Sequence, residues 1–259
     1  MKIVTWNVNS LKMRLPRVLE LLAEHAPDVV CLQETKSEAA AFPDDELDAV
    51  GYHAVHHSAG RWAGVAILAR RELALTAAVA GLEGELQADE ARWIEATVAG
   101  MRVASVYVPN GRALGTPTFD EKLAFLDAIA ARVAKMRGAG EPVVVGGDFN
   151  VAPADIDVYD PAAFVGATHV TPDERERLAA AIAAGGLVDA YRALHPEEVQ
   201  HTWWDYRQGH FHRGLGLRID LVLVSEALGA TLVACGIARD YRKGSKPSDH
   251  APLVVELPR

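Results

Sequence analysis

The chain has 259 residues, half of them apolar, which is enough for a sizeable buried core. No apolar run approaches the roughly 18–20 residues of a membrane span, and Cys31 and Cys235 are too few for a disulfide framework, as expected of a protein from a reducing cytoplasm. The formal net charge is −9, from 26 Lys+Arg against 35 Asp+Glu; that balance opposes a nucleic-acid partner unless a local basic strip or a bound divalent cation reverses it.

The N-terminus, MKIVTWNVNS, lacks a long apolar segment and a small-residue cleavage site, so no signal peptide is expected. Its run 2–6 (KIVTW) predicts a strand ending at Asn7. Residues 14–25 carry Leu15, Val18, Leu19 and Leu22 at i, i+3, i+4 and i+7, the stripe of a helix packed on one side. The run 28–32 (DVVCL) predicts a strand with Cys31 as a small buried hydrophobe, followed by Glu34. His53, His56 and His57 in GYHAVHHSAG have no C-x-x-C companion and read as surface residues rather than zinc ligands. Strands follow at 64–68, 92–98 and 102–108. In the last, RVASVYV, Val103, Ser105 and Tyr107 share one face while Ala104, Val106 and Val108 share the other.

A second helical stripe, Leu123, Leu126, Ile129 and Val133, predicts a helix over 118–136. The run at 142–145 ends in GGDFN. Residues 171–184 read as a helix: Thr171 at the N-cap, Pro172 in the first turn, Glu174 three on from the cap, and Gly185–Gly186 as its stop. In HTWWDYRQ, Trp203 and Trp204 are neighbours on an extended stretch, so one of them faces the core. Final strands are predicted at 219–224, 231–237 and 252–257. No linker, low-complexity tract or short repeat interrupts the series. The whole chain, 1–259, therefore reads as a single α/β domain with sheets inside and helices outside.

The strand ends carry the chemistry. Asn7, Glu34, Tyr107 with Asn110, Asp148 with Asn150, Asp220, and Asp249 with His250 all cap or interrupt apolar runs. Buried acids and amides are costly unless they are paired or bind an ion, and a sheet sets such ends side by side. Three acids (Glu34, Asp148, Asp249), two amides (Asn7, Asn150) and one histidine form an oxygen-rich set suited to Mg²⁺ or Mn²⁺ rather than zinc. Asp220 is placed to hold His250 in one tautomer. A pairing of Asp220 with Arg218 or Arg242 is the plainer alternative.

Six segments, TWNVNSL, LQETK, VYVPNG, GGDFN, RIDLVLVS and SDHAPL, resemble in this order the signatures of the exonuclease III family of apurinic/apyrimidinic endonucleases, relatives of DNase I in the endonuclease/exonuclease/phosphatase group. The segment 201–225 is similar to the bacterial exodeoxyribonuclease III branch. The resemblance implies a four-layer sandwich of two mixed β-sheets flanked by helices. It implies a metal-dependent phosphodiesterase of base excision repair that cuts duplex DNA 5′ to abasic sites and works on 3′ ends. Carried over residue by residue, Glu34 is the main metal ligand with Asn7 and Asp249 nearby. Asp148 orients or deprotonates the attacking water, Asn150 fixes Asp148 and the phosphate, and His250, paired with Asp220, contacts the phosphate together with Tyr107 and Asn110. Either Asp148 or His250 fits the base, and one metal or two.

The resemblance also implies an abasic-sugar pocket formed by Trp203, Leu217 and Ile219. Arg112 and Arg207 are candidates for the duplex grooves, and Arg242, Lys243 and Lys246 for the DNA backbone. The partners implied are Mg²⁺ and double-stranded DNA with abasic sites or 3′ ends. A cytoplasmic monomer is expected, with neither a membrane nor an obligate protein partner. Two other readings stand beside this one: a phosphoesterase of the same fold acting on a phosphoinositide, sphingolipid or small nucleotide, and a non-catalytic binding relic. The basic loops and apolar walls speak against the first, and the intact motif residues against the second.

Overall fold

The computed structural model of the chain describes residues 1–258. In order it forms β1 (Lys2–Asn7), α1 (Leu11–His25), β2 (Val29–Gln33), α2 (Asp44–Ala49), β3 (Tyr52–His57), β4 (Val65–Arg70), β5 (Leu75–Ala80), β6 (Trp93–Val98), β7 (Met101–Tyr107), α3 (Pro117–Gly138), β8 (Val143–Asp148), α4 (Pro172–Gly185), β9 (Leu187–Asp189), α5 (Ala190–Leu194), α6 (His210–Arg213), β10 (Asp220–Ser225), α7 (Glu226–Gly229), β11 (Ala234–Ile237) and β12 (Leu253–Glu256). Two six-stranded mixed sheets result, with strand orders β11-β12-β1-β2-β4-β3 and β5-β6-β7-β8-β10-β9.

Alternation along each strand decides what lies in each layer. Ile3, Val29, Cys31 and Ile67 of the first sheet meet Ala96, Val103, Val144 and Val222 of the second, forming the inter-sheet core. The opposite faces turn outward. Val4, Trp6, Val30 and Leu32 pack on Val18, Leu21 and Leu22 of α1, and Val106, Val145 and Leu221 pack on Phe125, Ile129 and Val133 of α3 and Leu178 of α4. The layers are therefore helix, sheet, sheet, helices, as expected. The RVASVYV alternation holds, with Val103 inside and Ala104, Val106 and Val108 against the helices. Each fully buried valine or leucine contributes about 1.5–3 kcal/mol. Among the described residues no helix is long and apolar enough to cross a membrane.

Helix α4 closes as its sequence dictates. Thr171 and Glu174 form a reciprocal capping box, and Gly186 ends the helix in the left-handed region at φ 56. The glycines of GGDFN are required by close packing on both sides of β8. A Cβ on Gly147 would lie 2.0 Å from the Val106 carbonyl oxygen of β7, and one on Gly146 would meet Thr5 and Cys31 of the facing sheet at 3.3–3.4 Å. They allow β8 to sit tightly between its neighbours, immediately before Asp148.

Candidate active site

Strand register assembles the site. Tyr107 on β7 lies opposite Asp148 on β8, and Asp148 lies opposite Asp220 on β10. Adjacent strands are about 5 Å apart, so three residues distant in sequence form one row. All three share parity with Val103, Val144 and Val222, so the row faces the inter-sheet layer where it opens at the strand ends. In the other sheet Asn7 shares parity with Ile3 and is paired with Gln33, one residue before Glu34. His250 enters from the loop before β12, its carbonyl accepting from Trp6 Nε1 at 3.1 Å.

Hydrogen bonds join these pieces across the two sheets. Asn7 Nδ2 donates to Glu34 Oε1 at 2.8 Å and to Asp148 Oδ2 at 2.9 Å, while its Oδ1 accepts from the Asn9 amide. Asp148 Oδ1 accepts from the Asn150 backbone N–H at 2.9 Å, and Oδ2 from Asn150 Nδ2 at 3.3 Å. Asn150 holds a left-handed φ of 50 to make both contacts. His250 Nδ1 lies 2.8 Å from Asp220 Oδ2, and Nε2 points at Asp148 Oδ2 at 3.7 Å. Asp220 thus pairs with the histidine; Arg218 binds Asp157 and Asp189 instead, and Arg242 binds the Ser248 carbonyl.

This crowding sets the protonation states. Burial pushes the Asp148 carboxyl up, and the charges of Asp220 and Glu34 push the same way against His250. Burial alone would lower the His250 imidazole, but Asp220, Asp148 and Asp249 together raise it to about 10. Burial, then the Glu34 charge, raises the Tyr107 phenol well above its ordinary value, and the Arg92 guanidinium lies 4.6 Å over its ring. At neutral pH the imidazole is therefore a cation beside a row of acids.

Glu34, Asp148 and His250 offer ligand atoms within 4.8 Å of one another, a group that could hold a metal ion. Asp220 Oδ1 is buried without a hydrogen-bond partner nearby. Two converging carboxylates with surplus negative charge fit a hard divalent cation. Of the two carboxylates expected around the cation, Glu34 stands in this group and Asp249 does not. Asn7 turns its amide hydrogens, not its oxygen, toward the acids, because Oδ1 is taken by Asn9. The Asp249 carboxylate is bound by Trp203 Nε1 and Asn9 Nδ2, both at 3.0 Å, and these contacts together with His250 hold its carboxyl below the usual range despite burial. Lys36 Nζ bonds Glu34 Oε2 at 2.8 Å and Asn9 Oδ1 at 2.7 Å.

The expected DNA-facing residues fall into two places. Asn110 and Arg112 line a cavity of about 470 Å³ together with Glu34, Tyr107 and Trp62, the last 71% exposed. Trp203 lies on the other side, its ring 6.5 Å from His250, while Trp204 is the core member of the pair. Leu217 and Ile219 are not open walls: they are buried with Ala152 and Val158, and Phe164, Val170 and Trp203 pack against them. Arg207 is exposed and folds back on Asp205 at 2.7 Å. Sequence reading passed over Trp62, Lys36, Asn9, Lys122 and His169. His169 sits at φ 81 with Nδ1 2.6 Å from the Asn150 carbonyl, and burial and the Lys122 charge push its imidazole down.

A fold of two mixed sheets with this acid-lined opening matches a known class. The model of the endonuclease/exonuclease/phosphatase family matches residues 4–250, and the chain belongs to that family. It is similar over nearly its whole length to exodeoxyribonuclease III of Haemophilus influenzae, with 32% identity covering 99% of this chain and all of that protein. An exodeoxyribonuclease of Bacillus subtilis is 31% identical, covering 98% of each chain. Among solved structures, a 3′-phosphatase from Neisseria bound to a product DNA hairpin superposes with TM-score 0.96 at 40% identity, and an AP endonuclease from Archaeoglobus fulgidus with 0.95 at 36%, each covering both chains in full.

Proposed function

We propose that this chain is a DNA-repair phosphodiesterase using Mg²⁺ or Mn²⁺, which cuts duplex DNA 5′ to abasic sites and removes blocking groups or nucleotides from 3′ ends. Phosphodiester hydrolysis in DNA repair follows from the family and its full-length relatives. The observation that carries the finer reading is the Tyr107–Asp148–Asp220 row, closed by His250 and Glu34. In-line attack needs an oriented water, neutralised phosphoryl oxygens and a leaving oxygen that acquires a proton. The raised Asp148 carboxylate is the better base, because His250 already carries its proton at neutral pH. Asn150 aims Asp148; the His250 cation, held by Asp220, faces the phosphate with Tyr107 and Asn110. Held at Glu34, beside Asp148, a divalent cation would supply charge neutralisation on the phosphoryl oxygens. The water oxygen bonds to phosphorus, its proton passes to Asp148, the bond from phosphorus to the 3′ oxygen breaks, and that oxygen takes the proton of the His250 imidazolium.

One observation favours 3′-end processing as a second reading. The Leu217–Ile219 cluster is covered by Phe164, Val170 and Trp203, so extruding an abasic sugar there requires those side chains to move, whereas a 3′ phosphate needs no extrusion. The Neisseria relatives are described as a 3′-phosphatase and a 3′–5′ exonuclease. Two duplexes separate the readings, one with an internal abasic analogue and one with a nick bearing a 3′ phosphate. Mg²⁺-dependent cutting of both supports the dual activity; cutting of the second alone supports 3′-end processing. Cytoplasmic, monomeric action belongs to the same proposal, tested by sedimentation and fractionation.

A further inference from the structure

Lys122 and Glu174 touch no part of the catalytic row, yet both are fully buried and paired at 2.5 Å. The ammonium has three hydrogens. The Asn150 carbonyl accepts one at 2.7 Å, the Asn110 carbonyl another at 3.2 Å, and Glu174 Oε1 the third. Glu174 accepts in turn from the His169 amide at 2.9 Å, the Thr171 amide at 3.0 Å and the Thr171 hydroxyl at 2.8 Å. One ion pair thus ties together the loop after β7, the loop after β8 and the loop before α4. A Cβ on Gly111 would lie 2.9 Å from Lys122 Cδ, so the Asn110–Gly111 loop rests directly on the lysine stem.

We propose that the Lys122–Glu174 pair is a positioning device for phosphodiester hydrolysis: it pins the Asn110 and Asn150 carbonyls, and so aims the Asn150 amides at Asp148. This rests on the phosphodiesterase reading above. Asn150 takes the left-handed conformation that asparagine tolerates, and its carbonyl is gripped there by Lys122 and by His169 Nδ1. A purely stabilising role explains the pair poorly. Buried ion pairs rarely outperform apolar residues of equal volume, and α3 and α4 already share an apolar contact through Leu126, Ile129, Leu178 and Ala181. What two apolar residues would not reproduce is the set of bonds to the three loops.

The test is the double variant Lys122→Met/Glu174→Leu, which removes both charges at similar volume. Thermal unfolding, Mn²⁺ affinity by calorimetry, kcat and KM on the nicked 3′-phosphate duplex, and the amide resonances of Asn110 and Asn150 are measured. The expected result is a folded protein with Mn²⁺ affinity near that of the parent, because Glu34 is untouched. kcat falls about 10- to 100-fold with KM little changed, and both asparagine resonances shift. A folded double variant with parental kcat overturns the proposal. If that variant does not fold, Glu174→Gln keeps an acceptor and drops the charge; it should lower kcat several-fold at unchanged Mn²⁺ affinity, and parental kcat there is equally fatal. If the parent shows no metal-dependent hydrolysis, the functional reading fails, and the resonances of Asn110 and Asn150 decide the positioning claim: shifted supports it, unshifted overturns it.

Discussion

Asp220→Asn isolates the charge that keeps His250 protonated. Asp220 is fully buried, its Oδ2 lies 2.8 Å from His250 Nδ1, and it is the first of three carboxylates raising the imidazole to about 10. Asparagine has nearly the same shape and keeps an acceptor, but carries no charge. Burial, which lowers the imidazole, then faces only Asp148 and the more distant Asp249. The imidazole should therefore fall from its raised position toward its ordinary range. The parent enzyme should hold its kcat/KM until pH rises toward 10, whereas the variant's alkaline limb should move to lower pH. The stability linkage has a fixed sign. A histidine raised in the folded state stabilises fully below its unfolded value of 6.5, and that contribution is lost as pH climbs from there through about 10. The variant should therefore show a flatter alkaline decline in Tm. A pH–rate series with a heteronuclear titration of His250 measures both effects. An unmoved alkaline limb and an unmoved titration would refute the assignment of the charge to Asp220.

Four further outcomes are expected. Asp148→Asn should lower kcat about 10²- to 10⁴-fold, the range of a general base, while duplex affinity by fluorescence anisotropy stays near parental; normal turnover would remove it from the mechanism. Glu34→Gln should weaken Mn²⁺ binding at least about tenfold, and calorimetry showing parental affinity would put the cation elsewhere. Trp62→Ala should cost about 1–3 kcal/mol of DNA affinity if a base stacks on that exposed ring. Because the net charge is −9, DNA affinity rests on local basic loops and should fall steeply between low and moderate salt; a flat salt dependence contradicts that picture.

Central strands and the row of polar residues at their ends were legible because each has a simple cause. A strand covered on both faces reads as an apolar run, and a buried acid at its end stands out. The missed strands β3, β5 and β9 are all sheet edges. β5, LTAAVA, is largely exposed and half alanine, and β3, YHAVHH, is half-buried with three histidines, so neither shows the run of large branched apolar residues that marked the others. The histidines set aside as surface residues thus lie on an edge strand, with His57 Nδ1 3.2 Å from the Trp93 carbonyl. The orientation of Asn7 and Asp249 was invisible because it depends on Asn9, which lies past the end of β1. Lys122 sits in the second turn of a helix with a strong apolar stripe, and its fully buried ammonium is explained by Glu174 and by carbonyls from two distant loops.

The central claim is metal-dependent hydrolysis of DNA phosphodiesters at the Asp148–His250–Glu34 centre. Its most direct test incubates the protein with a duplex carrying a tetrahydrofuran abasic analogue and with a nicked duplex bearing a 3′ phosphate, each with Mg²⁺ or with EDTA. The account predicts Mg²⁺-dependent incision 5′ to the analogue, release of phosphate from the nick, and loss of both in EDTA and in Asp148→Asn. No metal-dependent product from either duplex would contradict it.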